Sequence, residues 1–136
     1  MALLYPSLSL IKKFKVAPTA GELAIVKFLN DALDDKYEIY YQPYLNGDNP
    51  DIVILRKDAG VLIIEVKDWD LDNYSLDDKG RWILKKDGTK IKSPFSQVRT
   101  YRNNMIHLHI PDLLPKAVQF RKYYAVVNTA VLFSKI

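Results

Sequence analysis

A chain of 136 residues, 49% hydrophobic and 26% charged, has the composition of an ordinary globular domain, with material for one core and no room for two. It holds no cysteine, which excludes a disulfide framework, a thiolate zinc site and a cysteine nucleophile, and no apolar run reaches the roughly 18 residues of a membrane span. Twenty Lys and Arg against sixteen Asp and Glu leave +4, a mild basic excess compatible with nucleic acid but not diagnostic of it.

Residues 1–18 read as an amino-terminal arm or edge segment ahead of a single domain over 19–136. The arm is apolar from Met1 to Ile11 and then basic at Lys12, Lys13 and Lys15, the reverse order of a signal peptide, so a cytoplasmic protein is expected. Thr19-Ala20-Gly21-Glu22 is a capping-box pattern, and Val26, Leu29 and Leu33 recur at helical spacing, predicting a helix to about Asp34. Tyr37–Tyr41 reads as a strand, and Asn46-Gly47-Asp48-Asn49-Pro50 as a turn. Ile52–Leu55 and Val61–Ile64, short, β-branched and separated by a glycine-containing loop, predict a β-hairpin. Leu71–Ser75 and Arg81–Leu84 predict a smaller, more polar hairpin inserted after it. Ser93-Pro94 caps a second helix with Val98, Tyr101, Met105 and Leu108 on one stripe, ending before Pro111. Tyr123–Val127 and Ala130–Phe133 close the chain as strand. The order of elements is that of an α/β (α+β) domain, a mixed sheet flanked by helices with a hairpin insertion.

Three acid-any-Lys triplets occur, Asp34-Asp35-Lys36, Glu65-Val66-Lys67 and Asp77-Asp78-Lys79, where chance predicts about two. Context separates them, because only Glu65 and Lys67 end a buried apolar strand, where a charge is costly without a partner. Residues two apart share a strand face, so Glu65 and Lys67 are neighbours. If residues 56–60 form the hairpin loop, Leu55 pairs with Val61 and Asp51 falls opposite Glu65, their β-carbons about 5 Å apart. Two carboxylates so placed call for a cation, and hard oxygen ligands without His or Cys favour Mg²⁺ or Mn²⁺. Such an ion polarises a phosphoryl oxygen and activates a bound water, which Lys67 would orient. Glu22 shares the helical stripe of Val26, Leu29 and Leu33 and should point inward, although completing the capping box is an equal use for it. Gln97, on the second helix, reads from pattern alone as a solvated position.

The remaining charged and aromatic residues carry weaker signals. Lys85, Lys86, Lys90, Lys92, Arg99, Arg102, Arg121 and Lys122 could track phosphates, yet scattered lysines on polar hairpins usually form a solvated surface. Trp69 and Trp82 could stack on bases, with core packing the better expectation. His107 and His109 diverge on a helix and fit a helix-end charge interaction better than a metal site. The five glycines are dispersed, which disfavours a phosphate-binding loop.

Gly21-Glu22, Asp51 before an apolar strand, Ile64-Glu65-Val66-Lys67-Asp68-Trp69 and Ser93-Pro94-Phe95-Ser96-Gln97 together strongly resemble the nuclease-related domain (NERD) family of the PD-(D/E)xK phosphodiesterase superfamily, over roughly residues 19–133. The resemblance implies a restriction-endonuclease-like αβββαβ core and metal-dependent hydrolysis of nucleic acid, DNA rather than RNA. By position it makes Glu22, Asp51, Glu65, Lys67 and Gln97 the catalytic set, with the metal on Asp51, Glu65 and the Val66 carbonyl, and Glu22 as a further acid. The chain departs from the family pattern at Ile52 and at Asp70-Leu71-Asp72. The amino arm and the 46–51 segment look most like members fused ahead of a UvrD-like DNA helicase. That similarity implies a helicase partner in one longer polypeptide and a role in DNA processing or repair; a nuclease-fold module that only binds DNA or a partner is the alternative.

Overall fold

In the computed structural model, which describes residues 1–45, 47–111, 113–119 and 125–134, the capping box opens the first long helix as its sequence dictates. The Thr19 hydroxyl accepts the Glu22 N–H at 3.1 Å, and the Glu22 carboxylate accepts the Thr19 N–H at 3.1 Å. Two of the N–H groups that a helix start leaves without partners are thereby satisfied. This helix, α2 (Ala20–Ala32), follows a short strand β1 (Leu3–Tyr5) and a single turn α1 (Leu8–Ile11).

Strands β2 (Tyr37–Tyr41), β3 (Ile52–Arg56) and β4 (Gly60–Lys67) form an antiparallel meander. The β3–β4 register pairs Leu55 with Val61 and Ile52 with Ile64, as the hairpin argument requires. Gly60 enters β4 at φ +128 with the Val126 carbonyl packed against its α-carbon, a position that excludes a side chain on both counts. Strand β8 (Val127–Phe133) runs parallel to β4, and β1 runs parallel to β2, so the sheet reads β1-β2-β3-β4-β8. The arm is thus built into the sheet edge, with Ala2 and Ile11 buried in the core. The sheet is mixed and the class is α+β.

Alternation along the strands makes two cores. Ile39, Tyr41, Ile52, Ile54, Ile64 and Val66 pack with Val26 of α2 on one face. Val53, Ile63 and Val127 pack on the other, beneath α3 (Pro94–Asn104) and the turns that follow it. Ile39, Ile52 and Ile63 are fully buried, and each contributes about 1.5–3 kcal/mol through the apolar area removed from water.

Four local expectations change. Leu71–Asn73 is a 3-10 turn rather than strand, because Asp70 caps it by accepting the Asp72 N–H at 3.0 Å. The insertion is therefore β5 (Tyr74–Leu76) and β6 (Trp82–Leu84), joined by a third strand, β7 (Lys90–Ile91), into a separate sheet. Leu108 is 71% exposed and Ile106 takes its place in the core. The cause is a π-turn over Met105–His109, closed by the Ile110 N–H on the Met105 carbonyl at 3.0 Å, which adds a residue and rotates the stripe. The last strand is one element starting at Val127, since the Asn128 amide folds back on the Ala125 carbonyl at 2.8 Å. Between π-turn and strand lies α4 (Leu113–Gln119), which admits Pro115 in its first turn, where no intrahelical N–H is needed. Asn46, Arg121, Lys122, Tyr123 and Tyr124 lie outside the described residues, as do Lys135 and Ile136 at the end of the 19–136 span.

Candidate active site

The β3–β4 ladder ends at Ile52–Ile64, and one step further Asp51 and Glu65 stand opposite each other. They are braced through the main chain. The Asp51 carboxylate (Oδ2) accepts the Val66 N–H at 2.8 Å, and Glu65 Oε1 accepts the Asp51 N–H at 3.2 Å. Continuing the register brings Pro50 opposite Val66, and proline has no N–H to donate. The Lys67 carbonyl turns to β8, where it accepts the Ser134 N–H at 2.8 Å. Peptide groups alternate along a strand, so those of Val66 turn the other way, toward Asp51. Asp51 replaces the missing ladder partner for the Val66 N–H, and the Val66 carbonyl has no ladder donor opposite it.

Glu65 is 2% exposed. Its Oε2 lies 3.4 Å from Lys67 Nζ, and that ammonium lies 5.8 Å from the centre of the Trp69 ring. Burial above all, together with the Glu65 and Glu22 charges, pushes the Asp51 carboxyl up to about 7, against the Val66 N–H and the Lys67 ammonium. Burial of this kind disfavours the charged form, and a bound cation would favour it. The available donors are two carboxylates and a main-chain carbonyl, hard oxygens that fit a Mg²⁺ or Mn²⁺ ion keeping several of its waters. Among the described residues, no three His, Cys, Asp or Glu side chains form a ready-made cage.

Glu22 approaches from the other face of the sheet, since α2 packs on the Ile64 and Val66 side whereas Glu65 points with Ile63 toward α3. The two faces meet at the open end of the ladder, where Glu22 adds to the charge felt by Asp51. Both Glu22 oxygens are engaged: Oε1 by the cap, Oε2 by the Tyr41 hydroxyl at 3.2 Å and the Gln42 side-chain amide at 3.1 Å. Glu22 therefore completes the capping box and also adds its charge at Asp51. Burial, then the Glu22 charge and hydrogen bond, raise the Tyr41 phenol above its ordinary range.

Gly21 lets α2 come this close. A β-carbon there would overlap the Asp68 carboxylate and stand 2.8 Å from Ser134 Cβ. Asp68 can rotate away, but Ser134 moves only with the end of β8. Gly21→Ala should cost about 1–3 kcal/mol, a value typical of overpacking, read as a lower midpoint in urea with an unchanged slope.

Helix α3 lies over the Glu65 face. The Gln97 amide donates to the Tyr101 hydroxyl at 3.1 Å, and Tyr101 is raised chiefly by burial, with further contributions from Glu65 and Asp51. Gln97 is thus bonded to Tyr101, a residue of the expected core stripe, and lies on the helix that covers the Glu65 face. Tyr41, Gln42 and Tyr101 are the site neighbours that the motifs missed; the i, i+4 spacing of Gln97 and Tyr101 was the one signal available for them.

Other candidates find different places. His109 Nε2 is 3.1 Å from Asp48 Oδ2, which also accepts the Asn104 amide at 2.9 Å, so this histidine ties the 42–50 loop to the π-turn. Arg102 donates to the Val127 carbonyl at 2.8 Å and anchors α3 to β8. Lys85, Lys86, Lys90, Lys92 and Arg99 are exposed. Trp69 stacks on Tyr74 at 4.4 Å, and Trp82 on Phe133 at 5.8 Å, so both tryptophans join the small sheet to the large one. No helix among the described residues is long and apolar enough to cross a membrane.

Compared with known proteins, residues 17–134 match the family model of NERD, the nuclease-related domain. No curated protein and no solved structure matches the chain.

Proposed function

From the premise that this chain belongs to the nuclease-related domain family, we propose that it hydrolyses phosphodiester bonds of nucleic acid, DNA by preference, with Mg²⁺ or Mn²⁺ held by Asp51, Glu65 and the Val66 carbonyl. The observation that carries this reading is the opposed, main-chain-braced pair of Asp51 and Glu65 with Lys67 3.4 Å from Glu65. When bound, the ion supplies a Lewis acid for the phosphate and a water of lowered pKa. Asp51 and Glu65 provide its anionic seat. Lys67 orients the attacking water and offsets charge developing on the phosphate oxygens. Glu22 adds a further carboxylate at the open ladder end, and Gln97 with Tyr101 closes the α3 side. The reading extends to DNA processing alongside a helicase in the same polypeptide, in the cytoplasm.

One observation favours a second reading, a nuclease-fold module that binds DNA or a partner for a fused helicase without cutting. The Glu22 carboxylate already has three donors, leaving it less available to a cation. Labelled single- and double-stranded DNA incubated with the chain and Mg²⁺, Mn²⁺ or EDTA decides between them, beside Glu65→Ala and Lys67→Ala. The nuclease reading expects metal-dependent cleavage that both substitutions abolish. Binding without cleavage by the unsubstituted chain supports the module, and cleavage surviving in both variants overturns the site assignment.

A further inference from the structure

Gln42 follows β2 with φ +46, the one non-glycine residue of positive φ among the described residues. That left-handed conformation is one that glycine or asparagine adopts at much lower cost than glutamine. A turn needing only the backbone shape would be better served by either. What glutamine adds is reach. Its side-chain amide donates to Glu22 Oε2 at 3.1 Å, while its main-chain N–H donates to the Asp51 carbonyl at 2.8 Å. The Asn49 amide, turned so that its nitrogen donates, meets the Gln42 carbonyl at 3.1 Å and braces the same loop. One unfavourably held residue therefore ties the Glu22 carboxylate to the main chain of Asp51, whose side chain belongs to the opposite face of the sheet.

We infer that Gln42 is a positioning residue that holds the Glu22 carboxylate as an outer charge beside Asp51, at the open ladder end where a divalent cation would be seated. The inference rests on the metal-binding reading above and adds a residue that none of the motifs contains. Asparagine keeps the backbone conformation but is one methylene too short for Glu22, and glycine removes the side chain altogether.

Titration calorimetry with Mn²⁺ alone, beside thermal melting without metal, tests it on the unsubstituted chain, Gln42→Gly and Gln42→Asn. Both variants should melt at the same temperature as the parent or about 2–4 °C higher, because the backbone relaxes. Both should bind Mn²⁺ about 10-fold more weakly, as loss of a supporting group around a metal site does. Undiminished Mn²⁺ affinity in both variants overturns the inference while leaving the metal site intact. Melting temperature falling together with affinity also overturns it, since Gln42 would then serve only the fold. If the unsubstituted chain takes up no Mn²⁺, the metal reading itself fails and the inference falls with it.

Discussion

Asp51→Asn should yield a protein that melts higher and no longer cuts. Asparagine can still accept the Val66 N–H that Asp51 accepts at 2.8 Å, so the brace survives. What disappears is a buried negative charge, and burial first, then the Glu65 and Glu22 charges, pushes the Asp51 carboxyl up to about 7. At pH 8 without metal the variant should melt several degrees above the parent, and at pH 5, where the folded parental carboxyl is protonated, the gap should narrow, closing only toward about 3.8. Cleavage should fall by more than the roughly 10–100-fold that loss of an outer group around a metal site costs, because a ligand itself is removed. Melting curves at the two pH values and a single-turnover cleavage assay read both effects. A variant that is destabilised at pH 8 would show that the brace, not the charge, dominates at this position.

The second large effect is the pH dependence of the metal-free chain. Asp51 titrates near 7 when folded and near 3.8 when unfolded, so between those values the folded state binds the extra proton. Its contribution to stability is complete below about 3.8 and is lost as pH rises through 7. The metal-free melting temperature should therefore fall between pH 5 and 8. Mn²⁺ displaces that proton, so its affinity should rise over the same range and its binding should release protons at pH 6 but not at pH 8.5. Calorimetry in buffers of different ionisation enthalpy measures the release. Asp51→Asn should flatten both dependences.

These expectations were legible in the sequence to the extent that they depend on local rules. The capping box located α2, and the hairpin register of Leu55 with Val61 determined that Asp51 meets Glu65, although the expected loop of 56–60 is shorter, Arg56 and Gly60 being paired in the strands. Both follow from short-range geometry. The spacing of Glu22, Val26 and Leu29 said that Glu22 points inward, but periodicity cannot say onto which face of a sheet a helix packs. Glu22 thus reaches the site around the ladder end rather than across one face. Gln42 and Tyr41 were illegible because their partner is 19 or 20 residues away in sequence, on an element that only tertiary packing brings near. The π-turn at Met105–His109 escaped for a related reason: a bond from Ile110 to Met105 leaves no composition signal, yet it exchanges Leu108 for Ile106 in the core.

The rings of Trp69, Tyr74, Trp82, Phe95 and Phe133 form a seam between the two sheets, with centroid separations from 4.4 to 6.4 Å. A seam of this kind differs mechanically from a shared ladder, because ring faces resist being pulled apart but tolerate sliding, whereas hydrogen bonds impose a fixed register. The acids belong to the large sheet, and the β5–β7 layer meets that sheet through these rings. Trp69 is a member of the seam and its ring lies 5.8 Å from Lys67, so the ammonium beside Glu65 also feels how the smaller layer is seated. Exchange of that layer for one of different outline would alter the setting of Lys67 while leaving the braced carboxylates in place.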